Sequence, residues 1–314
     1  MVAVLIVAAI LFVLAWIIFA IASILVEKIA HPKVHTKEFI EGALKKYHNI
    51  DASDIYNNYK NEQFTCKSSY GYNLRGDIIY ANQQEDNNNK IQKTVILVHG
   101  YTSTRALMLS YGKIYLELGF NIVLYDHRHH GDSDKGPNTF CSLGYYESQD
   151  LVEIAYFVKS KFPENCIWGL QGESMGATTV MLAAHKIRFL SFAVEDCGFS
   201  SIKKQMQTSL RSYHLPDYPF MNIGTALLRG RYNIDLDKAD AVKTIEKTDI
   251  PMLFCHGDID KFVPTAMVYD VFNAKKDKKK LQLFEGARHA ESICLHPQQY
   301  KEVLEDFLKE YNLG

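Results

Sequence analysis

The sequence predicts an α/β domain built on a mostly parallel central sheet with helices on both faces, preceded by an N-terminal transmembrane helix. Three observations predict it. Six short, apolar, β-rich runs alternate with segments of helical period, the first 26 residues carry no charged side chain, and a G-x-S-x-G motif lies between one of the runs and a helical pattern.

Composition narrows the function classes before any motif is read. The chain has 314 residues, 35 Lys+Arg against 36 Asp+Glu, 47% hydrophobic and 23% charged residues, which is globular rather than disordered or low-complexity. A net charge of −1 gives no global field to attract a polyanion, and no basic stripe or zinc or RNA-binding signature is present, so nucleic acid is excluded and a small molecule is the expected partner. Six cysteines (Cys66, Cys141, Cys166, Cys197, Cys255, Cys294) are scattered without a CxxC pair; in a chain large enough to build a core without staples they read as free, mostly buried thiols.

Val2 to Val26 contains one hydroxyl, Ser23, and no charge. As a helix these 25 residues span roughly 37 Å, enough to cross a hydrocarbon core of about 30 Å with some tilt. A cleaved secretory signal would show a basic start, a shorter apolar run and a small-x-small site, and none of these is clear. Residues 1–28 are therefore expected to form a single-pass anchor. Lys28, Lys33, Lys37, Lys45 and Lys46 follow the span, and by the preference of basic residues for the inner side the domain is expected to face the cytoplasm.

A helical linker is expected over residues 29–60, and the α/β domain over 61–314. Glu62 to Tyr80 holds two strand-like runs around a turn at Ser68 to Asn73, consistent with a hairpin. The segment from Asn82 to Lys90 is polar and reads as a surface loop. Parallel strands buried on both faces are expected at Thr94–Val98, Asn121–Tyr125, Cys166–Leu170, Phe192–Glu195, Pro251–Cys255 and Leu281–Phe284, with crossover helices such as Arg105–Leu118, Tyr146–Lys161 and Ala177–Lys186. Ligands bind at the carboxyl ends of the strands in such sheets. About 50 residues, 199–248, separate two core strands, far more than a normal connection, and predict an inserted helical cap whose apolar residues either line an acyl or aryl pocket or form the cap's own core. The lysines from Lys275 to Lys280 read as a solvated loop, with contact to a membrane surface as the alternative.

Gly172-Glu173-Ser174-Met175-Gly176 follows the run ending at Leu170 and precedes a helical pattern. A nucleophile on a strand-to-helix turn needs flanking residues without a Cβ, and the helix N-terminus favours developing negative charge. Ser174 is the candidate nucleophile, and the backbone N–H of Met175, next in the chain, is a candidate oxyanion donor. A hydroxyl needs a base to take its proton, and the base needs a carboxylate to orient it. Two strand-end loops qualify: His256-Gly257-Asp258-Ile259-Asp260, and Gly286-Ala287-Arg288-His289. The chain order is then Ser174, an aspartate (Asp258 or Asp260), and His289.

On these motifs the chain, from about Thr94 to the C-terminus, resembles the α/β-hydrolases, and within them the bacterial membrane-anchored esterase, lipase and serine-aminopeptidase-like branches. The resemblance implies an α/β-hydrolase fold. In relatives with the HGDxDxxVP pattern the second aspartate is the acid of the triad, here Asp260, with Asp258 as the alternative. His99-Gly100-Tyr101 resembles the family's HGx element and implies the backbone N–H of Tyr101 as the second oxyanion donor. The histidine-rich loop Asp126-His127-Arg128-His129-His130-Gly131-Asp132-Ser133 has residue types fit for zinc, but it is crowded, lacks a helical i, i+4 pair and resembles the family's structural RGHGxS loop. His129 and Asp134 also match an HxxxxD acyltransferase spacing. His99 and His256 read as local hydrogen-bonding groups, and His185, His214 and His296 lack a catalytic context. No metal or organic cofactor is implied. The expected activity is hydrolysis of a carboxylic ester or related acyl bond through an acyl-enzyme; a peptidase or acyltransferase on the same fold, and a membrane-tethered binding protein, are the alternatives.

Overall fold

The computed structural model describes residues 1–82, 91–136 and 139–314. The expected polar loop at 82–90 lies outside them except for its first residue. Eight strands form one sheet: β1 (Asn61–Lys67), β2 (Asn73–Ile79), β3 (Gln92–Val98), β4 (Asn121–Tyr125), β5 (Cys166–Glu173), β6 (Phe192–Asp196), β7 (Met252–Gly257) and β8 (Lys279–Phe284), in the order β1-β2-β4-β3-β5-β6-β7-β8. The β1–β2 hairpin joins antiparallel at β4, and every other pairing is parallel. The six parallel strands coincide with the six apolar runs; β3 to β7 are buried on both faces and have no polar face to alternate with, whereas β8, at the sheet's edge, is only half-buried up to Phe284 and is not the doubly covered strand expected there.

Pleating divides each strand between two cores. Val95 and Leu97 of β3, with Ile122 and Leu124 of β4, pack under α4 (Leu109–Glu117) and α12 (Pro297–Glu310). Ile96 and Val98, with Val123 and Tyr125, pack under α5 (Glu147–Lys159), α6 (Met175–Ala183) and α10 (Ala266–Ala274). The linker folds onto the first core: α2 (Lys37–Ala43) is capped by Thr36, α3 (Ala52–Asn58) by Asp51, and Leu44, Ile50 and Ile55 are buried there.

Between β6 and β7, α7 (Ile202–Ser212) and α8 (Asp217–Tyr232) lie over the sheet's carboxyl edge, whereas α9 (Ala241–Ile245) packs with α6 in the second core. The covering part of the 199–248 insertion is thus α7 and α8. The remaining helix of the C-terminal half is α11 (Ser292–Leu295). The lysine run is not wholly a solvated loop: Lys275 is buried, and Lys279 and Lys280 open β8.

Helix α1 (Val2–Ala30) is long and apolar enough to cross a membrane. Residues 1–17 are exposed, and the remainder lies against α8, with Ala22, Val26 and Ala30 buried. Its end is tied to the domain: the Tyr101 hydroxyl donates to the Lys28 carbonyl (2.7 Å) and the Cys141 N–H to the Ala30 carbonyl (2.8 Å).

Candidate active site

Ser174 stands at the turn from β5 into α6 with φ 55° and ψ −116°, a conformation that costs a non-glycine residue of order 1–3 kcal/mol and persists only where the surroundings impose it. The surroundings do impose it. A Cβ on Gly172 would strike the backbone of Gly176, and one on Gly176 would strike the Val98 carbonyl, so the turn closes only with glycine at both positions. The Ser174 N–H donates to the Asp196 carbonyl (2.8 Å), fixing the turn to β6.

The loops after β7 and β8 bring the other two candidates to this point. Ser174 Oγ lies 2.8 Å from His289 Nε2, and His289 Nδ1 lies 2.8 Å from Asp260 Oδ2. Asp260 Oδ1 accepts from the backbone N–H groups of Phe262 (2.8 Å) and Val263 (2.9 Å), and His256 Nε2 sits 3.4 Å from Oδ2. Burial alone would raise the Asp260 pKa, but the hydrogen bonds from His256, His289 and the loop backbone hold it far below the usual carboxylate range. His256 is raised in turn: burial works against its charge, and Asp260 and Glu195 outweigh burial. Asp258, the other candidate acid, accepts from the Gly286 N–H (2.7 Å) and so shapes the histidine's loop instead of meeting its ring.

Met175 opens α6, where the first backbone N–H groups have no partner within the helix. The turn after β3 runs beside it: an added Cβ on Gly100 would lie 3.4 Å from Ser174 Cβ and 3.3 Å from the Glu173 carbonyl, so the chain entering Tyr101 passes against the serine. Tyr101, Ser174 and Met175 line one cavity.

The histidine-rich loop serves the fold. Arg105 bridges Asp77, Asp126 and Asp132, and Arg128 makes a bidentate pair with Asp150 while stacking among Tyr70, Tyr72 and Tyr146. His127 donates its backbone N–H to His99 Nε2 (3.0 Å). His129 faces Thr139, and Asp134 holds Asn73 of β2, so the HxxxxD pair is spent on local contacts. Among the described residues no group of His, Cys, Asp and Glu is arranged to hold a metal ion. All six cysteines are free.

Beneath Ser174 lies a buried acidic group that the sequence gives little sign of. The Tyr111 hydroxyl is 3.0 Å from both Glu173 Oε2 and Asp196 Oδ2, and Ser292 reaches Asp196. A phenol has one proton to donate, so one of the two carboxyl groups must itself be protonated to complete the contact. Burial, with Asp196 adjacent, pushes Glu173 up to about 8. Glu173 is buried and is not among the residues lining the cavity beside Ser174.

Comparison with known proteins identifies the fold. Residues 93–196 match the family described as the alpha/beta hydrolase fold. The Bacillus subtilis protein YqkD, itself uncharacterized, is 31% identical over 265 residues, spanning 83% of this chain and 84% of that protein. The chain belongs to the α/β-hydrolase superfamily. This hydrolase is also 26% identical over 224 residues to YitV of B. subtilis, described as a candidate esterase, covering 66% of this chain and 86% of YitV. The Pyrococcus furiosus esterase Pf2001 shares the fold with a TM-score of 0.65 at 23% identity, over 83% of this chain and 94% of that one.

Proposed function

We propose that this hydrolase is a membrane-anchored serine esterase with Ser174 as nucleophile, His289 as general base and acid, and Asp260 as the carboxylate that orients the imidazole. The unbroken chain of 2.8 Å contacts from Ser174 Oγ through His289 to Asp260 carries the reading. His289 Nε2 takes the hydroxyl proton as Oγ attacks the ester carbonyl carbon. The oxyanion that forms is met by the N–H groups of Tyr101 and Met175, each such donor being worth about 2.7–4 kcal/mol. The carbon–oxygen bond to the alcohol breaks, and His289 returns the proton to the departing alkoxide. Water then adds by the same route in reverse and releases the acid and free Ser174. Asp260, held ionised, keeps the proton on Nδ1 and stabilises the imidazolium.

An ester is favoured over an aminopeptidase substrate by the cavity beside Ser174. An amine would need a carboxylate there; among the described lining residues none is acidic, and Glu173 is turned inward. Full-length protein in detergent, assayed on p-nitrophenyl esters of graded chain length beside aminoacyl p-nitroanilides, is expected to turn over the esters at least a hundredfold faster. Preference for the anilides would reverse the reading, and capture of most of the acyl group by an added alcohol would make the protein an acyltransferase.

A further inference from the structure

We propose, resting on the esterase reading above, that the last two turns of α1 form a wall of the acyl-binding cavity, so that the substrate is a lipid-like ester with a long acyl chain which reaches Ser174 from the bilayer along the anchor.

The cavity against Ser174 has a volume of about 230 Å³ and lies between two walls. One is α1, through Ala22, Leu25, Val26 and Ile29. These positions follow the spacing i, i+3, i+4, i+7, which puts them on one helix face. The other is the cap, where Met206, Leu210 and Phe220 stand opposite and Gly224 widens the gap; a Cβ there would still be 3.7 Å from Met206 and 3.9 Å from Val26. A neighbouring face of α1 carries the polar contacts that hold it: Arg231 bonds Ser23 (2.8 Å) and Glu27 (2.9 Å), and Tyr232 bonds Glu27 (2.8 Å). The helix is therefore latched to the cap by one face and lines the cavity with another.

Length places this wall at the membrane. The exposed stretch Val2 to Ile17 has 16 residues and rises about 24 Å, short of a hydrocarbon core of about 30 Å. Spanning takes about 20 residues, which brings the hydrocarbon boundary to Ile21, and Ala22 begins the cavity wall. Tyr213 and Phe262, which also line the cavity, are 63% and 57% exposed, leaving an apolar rim at its opening. An acyl chain passing from the bilayer to Ser174 by this route meets a lining that is mainly apolar, with Lys28, Gln205 and Ser209 as its polar members besides Ser174, at about 0.8 kcal/mol per methylene not exposed to water.

The test uses full-length protein in phosphatidylcholine vesicles, with 4-methylumbelliferyl palmitate in the same bilayer and 4-methylumbelliferyl acetate in the buffer. The wild-type rate on palmitate is expected to follow its mole fraction in the bilayer and not its bulk concentration. Val26→Trp and Gly224→Leu, one on each wall, are expected to lower the palmitate-to-acetate ratio of kcat/KM by at least tenfold, while Val7→Trp, on the free part of the helix, leaves it within twofold. A small fluorophosphonate probe reports whether Ser174 is still competent in each variant. A ratio unmoved by both wall variants that still label, or a palmitate rate that follows bulk concentration, overturns the proposal with the esterase reading intact. Absence of turnover on either ester, with an unlabelled Ser174, overturns the esterase reading and the proposal together.

Discussion

Asp260 Oδ2 lies 2.8 Å from His289 Nδ1 although 29 residues separate them, and the carboxylate's other oxygen is occupied by two backbone N–H groups of its own loop. The carboxylate is thus held by its own loop as well as by the imidazole. Asp260→Asn is expected to lower kcat by about 10³- to 10⁴-fold, because an amide no longer selects the tautomer with its proton on Nδ1. Asp258→Asn keeps an oxygen for the Gly286 N–H and is expected to stay within a few-fold of wild type. Steady-state kinetics on a short p-nitrophenyl ester compare the two; equal losses would show that the wrong aspartate is assigned.

The buried Glu173 gives a pH signature. With a folded-state pKa of about 8 against about 4.3 in the unfolded chain, it binds a proton in the fold that the unfolded chain has released. Its contribution to stability is complete below about pH 4.3 and is lost as pH rises through 8, with a slope of about −1.4 kcal/mol per pH unit between those limits. Buried neutral histidines such as His99 and His127 act in the opposite sense, so the difference between two proteins is the informative quantity. Denaturant unfolding in detergent from pH 5.5 to 7 should show Glu173→Gln gaining on wild type by about that slope. Parallel curves would mean that Glu173 is ionised in the fold.

Arg128 is buried, paired to Asp150 at 2.7 and 2.8 Å, and surrounded by three tyrosine rings at 4.8–5.0 Å. Arg128→Met leaves a buried, uncompensated carboxylate and is expected to cost about 3–5 kcal/mol in unfolding free energy. Adding Asp150→Asn should recover part of that loss, because the remaining pair is neutral. Chemical denaturation of the single and double variants checks both statements, and an additive double variant would contradict the pairing.

Much of this was legible in sequence for a physical reason. Strands covered on both faces are mostly apolar, so the runs from Thr94 to Cys255 mark themselves, and a strained serine turn needs the glycines at 172 and 176 that make it visible. The choice between Asp258 and Asp260 was open to spacing alone, since both sit within reach of a strand end; the family resemblance pointed to Asp260, and the structure brings Asp260 and not Asp258 to the imidazole. The second face of α1 was hidden for a different reason. Val2 to Val26 is apolar all round, so no stripe distinguishes Ala22, Leu25, Val26 and Ile29 from the exposed side chains of the same helix. Ser23 and Glu27, with Arg231 far along the chain, were the only local sign that this end meets protein. Glu173 was equally unreadable: its neighbours in sequence surround a serine at the surface of the site, and only the packing of Tyr111 and Asp196 turns its side chain inward.

The proposed mechanism requires His289 to make the Ser174 hydroxyl nucleophilic. Mass-spectrometric mapping of the adduct with a fluorophosphonate probe, with its rate of formation, tests this most directly. One adduct is expected, on Ser174, absent in Ser174→Ala and formed at least a hundredfold more slowly in His289→Ala. Labelling that persists at another residue in Ser174→Ala, or an unchanged rate in His289→Ala, would contradict it.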